Sequence, residues 1–211
     1  MTEKNNNPLV HLKGNEREQI GCWAPAVYAA AHVAKTIHQQ QKDKGGNDYF
    51  SSHLMTVGRA GHTWKSQIVG FLHDAAEDTE YDVDTVLDMV RRQLHEWNDH
   101  TEDKSWMDEF DDGLLPCPDG PIAFPSEDDW KEMADALHVL NHHTEPIRKD
   151  YIRRFATNKL ALQVKLNDMA NNMDISRIPS PSAEDYERLE RYKKEYEILI
   201  QMLRDFKGTD G

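Results

Sequence analysis

Four side chains with acid–base and metal-binding chemistry lie close together in the chain. His73 and Asp74 are adjacent, and Glu77 and Asp78 follow one helical turn later. Side chains four positions apart share one face of a helix, which would place His73 beside Glu77 and Asp74 beside Asp78. The apolar helical run of residues 68–72 leads straight into them. A helix that faces a core does not normally carry such a group unless its members are paired or bind a cation.

Two further residues complete a set of metal ligands. His53 follows a short polar segment, and Asp168 lies in a stretch with helical periodicity. Together with His73 and Asp74 they offer two imidazole nitrogens and two carboxylates. This combination suits Mn, Fe, Ni or Zn better than Ca or Mg. Four protein ligands also leave positions open on a six-coordinate ion, where water and a phosphate oxygen could bind.

Hydrolysis of a phosphate ester or anhydride is the chemistry that this set favours. A divalent ion lowers the pKa of a bound water and polarises a phosphate. Glu77 and Asp78 follow the His73–Asp74 pair by one turn, where a water could bridge them to the ion. We predict that Glu77 transfers the proton and that Asp78 orients the water or the leaving group, although the two roles could be exchanged.

Helical periodicity dominates the chain and predicts an all-α fold. Apolar residues recur at helical spacing in residues 23–37, 86–97, 133–140, 162–173 and 189–206. In the fourth of these segments, Lys165, Asp168 and Asn172 share the face opposite the apolar stripe. A turn over residues 45–48 is predicted to break the first helix, and residues 111–126, rich in Pro, Gly and Asp, are predicted to form a loop.

Composition indicates one soluble domain. The chain has 211 residues, of which 38% are hydrophobic and 30% are charged. No apolar run approaches the about 18 residues of a membrane span, and the N-terminus has no apolar signal core, so we expect no membrane partner and a cytoplasmic protein. Cys22 and Cys117 can form no disulfide framework and lack the spacing of a zinc site.

The net charge of −13 is concentrated in one region. Residues 98–129 contain eleven acids and one lysine, whereas the remaining chain carries only −3. Basic residues cluster around the segment of His53 and before Asp168. An anionic small molecule is therefore favoured as a partner, and extended nucleic acid is disfavoured because no strong basic stripe is present. The acidic residues 98–129 are predicted to form a solvated loop or a lid.

The order of these motifs resembles that of the HD superfamily of metal-dependent phosphohydrolases. Residues 43–49 leading to His53, residues 71–79 and residues 164–173 are similar to the alarmone-hydrolase branch, the hydrolase half of the RelA/SpoT proteins. The resemblance covers roughly residues 22–95 and 131–205. No synthetase half follows, so the chain resembles the stand-alone small alarmone hydrolases.

The resemblance implies a single HD-domain helical bundle over residues 21–207, preceded by a polar N-terminal segment over residues 1–20 and interrupted by an acidic loop insertion over residues 98–130. It implies one divalent ion, Mn2+, held by the four ligands. The implied substrate is guanosine tetraphosphate or pentaphosphate, which would lose pyrophosphate from the 3′ position. Lys44, Ser52 and Asn172 would contact this nucleotide, and adenine analogues remain open.

Two other functions stay open at this point. The chain could be a different HD-type nucleotide phosphohydrolase, such as a nucleotidase or a nucleotide pyrophosphatase, or a non-catalytic nucleotide-sensing protein. The sequence also leaves a homo-oligomer open. His142 and His143 are predicted to be structural rather than a metal-binding pair, because adjacent residues of a helix point about 100° apart. His38 is given the same interpretation.

Overall fold

The computed structural model describes the backbone of residues 14–99 and 123–209 and the side chains of residues 24–99 and 123–206. Residues 1–13 of the predicted polar segment and residues 100–122 of the predicted insertion lie outside these ranges. The described parts of both regions are largely helical, since residues 14–20 belong to the first helix and residues 127–130 begin another. The domain limits themselves stay predictions.

The described chain is a bundle of helices, which confirms the predicted all-α fold. The helices are α1 (Gly14–Ile37), α2 (Met55–Arg59), α3 (Trp64–Leu72), α4 (Ala75–Asp78), α5 (Val83–Asp99), α6 (Glu127–Leu140), α7 (Arg148–Arg154), α8 (Lys159–Asn172) and α9 (Ala183–Thr209). Among the described residues, pairing of the β type is limited to one isolated bridge between Lys42 and Asp48. No described helix is both long and apolar enough to cross a bilayer.

The predicted apolar stripes form the core of the bundle. Stripe residues that are buried are Ala26, Val27, Ala30, Val33 and Ala34 of α1, Val86, Leu87, Val90 and Leu94 of α5, and Met133, Leu137 and Leu140 of α6. Burial of each large apolar side chain contributes about 1.5–3 kcal/mol, so these stripes are the main reason that the helices associate. The periodicity predicted these three helices correctly.

The central helix is α3, which packs against α1, α2, α6 and α8. Its first turn is fixed by a capping box, in which Thr63 and Ser66 exchange side-chain and backbone hydrogen bonds. Close contact between α2 and α3 depends on glycine, because a Cβ atom at Gly70 would lie 3.0 Å from both Cα of Gly58 and the carbonyl oxygen of Val57. This contact sets the distance between the two segments that carry the histidines of the site.

The helix predicted to continue from residue 68 to Asp78 is interrupted, so that prediction was wrong. Helix α3 ends at Leu72, and a new short helix, α4, begins at Ala75. Asp74, with φ −96° and ψ −3°, makes the break. Its carbonyl oxygen accepts hydrogen bonds from the backbone N–H groups of Glu77 and Asp78 at 3.1 and 2.9 Å. The break redirects the chain between the His73–Asp74 pair and the two acids after it.

A tight loop joins α1 to the segment that carries His53. The turn lies at residues 44–47, but it does not break the first helix as predicted, because α1 has already ended at Ile37. Gly46 adopts φ +82°, a conformation that residues with a Cβ atom disfavour. The N–H of Asp43 donates to the carbonyl oxygen of Asn47 at 2.9 Å and closes the loop. A π-helical turn, Phe50–Leu54, follows directly and leads into α2. Such turns recur at functional sites.

Candidate metal centre

The four predicted ligands converge from three separate segments. Nε2 of His53, in the π-helical turn, lies 3.2 Å from Nε2 of His73, which follows α3. Oδ2 of Asp74 lies 3.3 Å from the first of these nitrogens and 3.0 Å from the second. Oδ1 of Asp168, in α8, lies 3.4 and 3.7 Å from the same two nitrogens. The structure therefore brings the whole predicted set together.

These separations fit ligation of a single ion. With bonds of about 2.1 Å, neighbouring ligands lie about 3.0 Å apart around an octahedral ion and about 3.4 Å apart around a tetrahedral one. The buried group His53, His73 and Asp168 has its donor atoms within 4.8 Å of one another and could hold a divalent ion. Asp74, with 15% of its side chain exposed, adds a donor on the more open side.

Hydrogen bonds behind the imidazole rings orient both histidines. Nδ1 of His53 donates to Oδ1 of Asn171 at 2.7 Å, and Nδ1 of His73 donates to the carbonyl oxygen of Gly70 at 2.8 Å. The guanidinium of Arg177 donates to the same oxygen of Asn171, which fixes the orientation of that amide. With Nδ1 protonated in both neutral rings, both Nε2 lone pairs face the centre, as a metal site requires.

Further donors hold the two carboxylates. The ammonium of Lys165 donates to Oδ2 of Asp168 at 2.7 Å, and the side-chain amide of Asn172 donates to Oδ1. The hydroxyl of Tyr49 donates to Oδ2 of Asp74 at 2.5 Å. Asn172, predicted to contact the nucleotide, thus also holds a ligand in place. Outer partners of this kind fix ligand orientation and strengthen metal binding.

Electrostatics at the centre favours a positive charge. Burial lowers the pKa of His73, but the carboxylates of Asp74 and Asp168 outweigh it and raise this pKa well above its usual range. Burial raises the pKa of Asp74 and of Asp168, but His73 for the first and Lys165 for the second outweigh it, so both carboxyl pKa values lie below their usual range. Because the same field would stabilise a divalent ion, the ion and the proton on His73 compete for this position.

Glu77 and Asp78, the predicted catalytic acids, line a cavity of about 250 Å³ together with Asp74 and Asp168. We call it the acidic cavity. The carboxylate of Glu77 is bound by one residue, since its two oxygens lie 2.5 Å from the backbone nitrogen and 2.6 Å from Nδ1 of His142. Sequence reasoning missed this partner, because the two residues are 65 positions apart.

Asp78 is held by a second chain of side chains that the sequence did not reveal. Nε2 of Gln41 donates to Oδ2 of Asp78 at 2.7 Å, and Oε1 of Gln41 accepts a hydrogen bond from Nδ1 of His38 at 2.6 Å. His38 is 1% exposed, and its Nε2 has no hydrogen-bond partner among the described residues. Burial lowers the pKa of His38 and favours the neutral ring. The neutral ring can donate from Nδ1 and so orient Gln41.

A second cavity, of about 210 Å³, adjoins the first at Tyr49 and Asn172. We call it the cationic cavity. Its lining includes the four cations Lys42, Lys44, Arg177 and Arg188, the acids Asp43 and Asp174, and the ligand His53. Of the four predicted ligands, His53 lines the cationic cavity, and Asp74 and Asp168 line the acidic cavity. Anionic groups fit the cationic cavity best.

The predicted substrate contacts Lys44 and Ser52 lie in different surroundings. Lys44 lines the cationic cavity, and its ammonium lies 3.1 Å from Oδ1 of Asp185 at the start of α9. Oγ of Ser52 is buried and near enough to Asp43 to lower the pKa of that carboxyl, but it forms no hydrogen bond of good geometry. With hydrogen bonds from Asn47 and Arg177 as well, and despite burial, the pKa of Asp43 falls to about 2.

A larger cavity than these two, about 600 Å³, lies between α1 and α5. Asp78 belongs to its lining as well as to that of the acidic cavity, but none of the four predicted ligands borders it. Cavity size therefore does not identify the site. The donor geometry does, because metal chemistry requires ligands rather than volume.

Comparisons with known proteins did not extend the resemblance. No protein-family model matches the chain, and the curated proteins include no match. The resemblance to the HD superfamily therefore rests on the sequence motifs alone, and the activity stays a prediction.

Proposed function

We propose that this protein is a metal-dependent phosphohydrolase that removes pyrophosphate from the 3′ position of guanosine tetraphosphate or pentaphosphate. The observation that carries the proposal is the convergence of His53, His73, Asp74 and Asp168, with two imidazole Nε2 atoms 3.2 Å apart and both Nδ1 atoms engaged elsewhere. Two carboxylate oxygens lie within 3.7 Å of both nitrogens, so four donor atoms face one centre.

The chain's own residues would hold the ion and leave part of it accessible. His53, His73, Asp74 and Asp168 are the ligands, and Asn171, Asn172, Lys165 and Tyr49 orient them. A bound divalent ion supplies a water of lowered pKa and a positive charge for a phosphate oxygen. Mn2+ suits the mixed nitrogen and oxygen donors and is the ion that we propose.

The acidic cavity supplies the acid–base groups of the proposed reaction. Glu77 is hydrogen-bonded to the His142 turn and is assigned to the proton-transfer path, either directly or through His142, while Asp78, fixed by Gln41, is assigned to orienting the water or the leaving group. Both belong to the lining that also includes Asp74 and Asp168. A base and an orienting group in the same cavity as the ligands are what hydrolysis at a bound phosphate requires.

The cationic cavity accounts for the choice of substrate class. Four cations against two acids give it a positive balance beside His53. A nucleotide with phosphates at two positions could place one phosphoryl group at the ion and others among Lys42, Lys44, Arg177 and Arg188. The guanine base and the 3′ position come from the sequence resemblance. A cytoplasmic location goes with this substrate and stays a prediction.

One experiment tests the proposal directly. The purified protein with Mn2+ is incubated with guanine and adenine nucleotides phosphorylated at the 3′ or 5′ positions, and the products are identified. We expect pyrophosphate and GDP or GTP, and we expect no product from the Asp168→Ala variant. Orthophosphate or nucleoside as the product would instead indicate another type of nucleotide phosphohydrolase. Bound metal without turnover on any nucleotide would indicate a sensing protein.

A further inference from the structure

We propose that Glu77 and His142 form a carboxylate–imidazole dyad in which Nε2 of His142, rather than Glu77 itself, exchanges the proton with the reacting water and the leaving group. This assignment rests on the proposed function. It names a further residue that contacts the reacting atoms and gives Glu77 the role of a positioning residue.

The tautomer of His142 follows from its contacts. A carboxylate oxygen can only accept, so at 2.6 Å from Oε2 of Glu77 the Nδ1 atom of His142 must carry the hydrogen. The neutral ring then has its lone pair on Nε2, which forms no hydrogen bond with any of the described residues. This free nitrogen can accept a proton from a bound water, and the hydrogen bond to Glu77 holds the ring in that orientation.

The same contacts give Glu77 a positioning role. Both of its oxygens are occupied, one by the backbone N–H and the other by the ring of His142, and only 14% of its side chain is exposed. His142 is half exposed and belongs to the lining of the acidic cavity, so water and substrate can reach its ring.

The turn that carries His142 is fixed against α4. Asn141 donates to the carbonyl oxygen of Ala76 at 3.4 Å, and Nε2 of His143 lies 3.3 Å from the carbonyl oxygen of Glu77. The hydroxyl of Tyr151 donates to the carbonyl oxygen of Leu140 at 2.7 Å, and its ring packs edge-on against that of His142. The imidazole is therefore held in place before substrate binds, as a proton-transfer group should be.

The dyad accepts one proton and returns it during the proposed reaction. The water oxygen forms a bond to phosphorus, and Nε2 of His142 takes one proton from that water. The bond between phosphorus and the leaving oxygen breaks, and the electron pair stays with that oxygen. Nε2 returns the proton to the leaving oxygen, so the neutral imidazole is restored.

Substitutions separate this role from a merely structural one. Asn at position 142 keeps the backbone N–H and offers an amide donor to Glu77, but its side chain cannot accept a proton and donate it again. We expect His142→Asn to lower kcat by about 10²-fold or more, the usual contribution of a general acid–base group, with KM and Mn2+ affinity within about threefold. The matched control is His62→Asn, which should retain kcat, because His62 is exposed and lines neither the acidic nor the cationic cavity.

Two further readouts make the test decisive. Added imidazole should restore part of the activity of His142→Ala but not of Asp78→Asn. Independently of catalysis, nitrogen-15 NMR of the metal-free protein should show His142 as the Nδ1–H tautomer, and Glu77→Ala should shift it toward the Nε2–H form that free histidine favours.

The outcomes are distinguishable. An active protein whose His142→Asn variant keeps at least a third of the wild-type kcat would overturn the dyad while leaving the proposed function intact. A wild-type His142 found mainly as the Nε2–H tautomer would overturn it as well. Wild-type protein that turns over no nucleotide would overturn the proposed function and this assignment together.

Discussion

Nε2 of His53 and Nε2 of His73 lie 3.2 Å apart, although in their neutral forms neither nitrogen carries a hydrogen. In each ring Nδ1 donates its hydrogen to an oxygen outside the centre. His53 donates to the side chain of Asn171, and His73 donates to the carbonyl oxygen of Gly70. Two lone pairs that face each other in a buried place are unfavourable unless a cation or a proton lies between them. The arrangement therefore suits a divalent ion, or a proton on His73 when the ion is absent.

The acceptor behind His53 gives the first prediction. Asn171→Leu should lower the Mn2+ affinity by about 10–100-fold, the usual effect of losing a partner of a ligand, because His53 loses the hydrogen bond that fixes its tautomer. Isothermal titration measures the affinity. Asn167→Leu is the control, since Asn167 lies in the same helix and its side chain makes no hydrogen bond with the described residues. Equal affinities for both variants would contradict the account.

The pKa of His73 gives a prediction for pH. Because this pKa is raised in the folded metal-free protein, the proton on His73 stabilises the fold below the pKa of the unfolded chain, and this stabilisation is lost as pH rises through the folded value. Metal binding must displace that proton. We therefore expect the Mn2+ affinity to increase about tenfold for each unit by which the pH is raised, as long as the pH stays below the folded pKa of His73. Titration in buffers of different ionisation enthalpy should detect release of one proton, and an affinity independent of pH would contradict this.

The contact between α2 and α3 predicts a link between packing and metal binding. Gly70→Ala would place Cβ 3.0 Å from backbone atoms of Gly58 and Val57, so the helices must separate. We expect the free energy of unfolding to fall by about 1–3 kcal/mol and the Mn2+ affinity to fall with it.

Gly46→Ala is the matched control for this effect. Its Cβ would meet no atom within 4 Å, but its φ of +82° is costly for alanine, so stability should fall by about 1–2 kcal/mol. The Mn2+ affinity should stay unchanged, because Gly46 lies in the loop before the π-helical turn. Chemical denaturation and titration report the two quantities. If both variants lose metal affinity, then the affinity depends on the overall stability of the fold and not on the contact between α2 and α3.

The two hydrogen bonds that link His38 to Gln41 and Gln41 to Asp78 predict an effect on kcat without an effect on metal binding. Gln41→Leu should lower kcat by roughly tenfold or more, because Asp78 loses its orienting donor, while Asp78→Asn should nearly abolish turnover. Both variants should bind Mn2+ as the wild type does, since neither residue is a ligand. Steady-state kinetics beside metal titration separates the two effects, and a Gln41→Leu variant with unchanged kcat would remove Gln41 from the mechanism.

The all-α fold could be predicted because it depends on a local signal, the apolar periodicity that marks α1, α5 and α6. His53, His73, Asp74 and Asp168 were proposed as a set, because their residue types suit metal ligation and their motifs follow the order of the HD superfamily. The structure brings these four residues together, and their binding of a metal stays a prediction.

The break between α3 and α4 and the partners of the two acids could not be predicted in this way. Sequence spacing predicted that Glu77 and His73 lie one turn apart on a single helix, whereas the structure interrupts that helix at Asp74. The bond of Glu77 to His142 spans 65 positions and that of Asp78 to Gln41 spans 37, so both depend on packing between distant helices. His142 was consequently interpreted as structural.

Metal titration of the stripped protein is the most direct test that His53, His73, Asp74 and Asp168 hold one ion. The account predicts one Mn2+ per chain for the wild type and for Asp88→Ala, an exposed residue of α5 that serves as the charge-matched control. Asp168→Ala should lose affinity by more than the about 10–100-fold expected for an outer partner. Binding by Asp168→Ala that equals binding by Asp88→Ala would contradict the central claim.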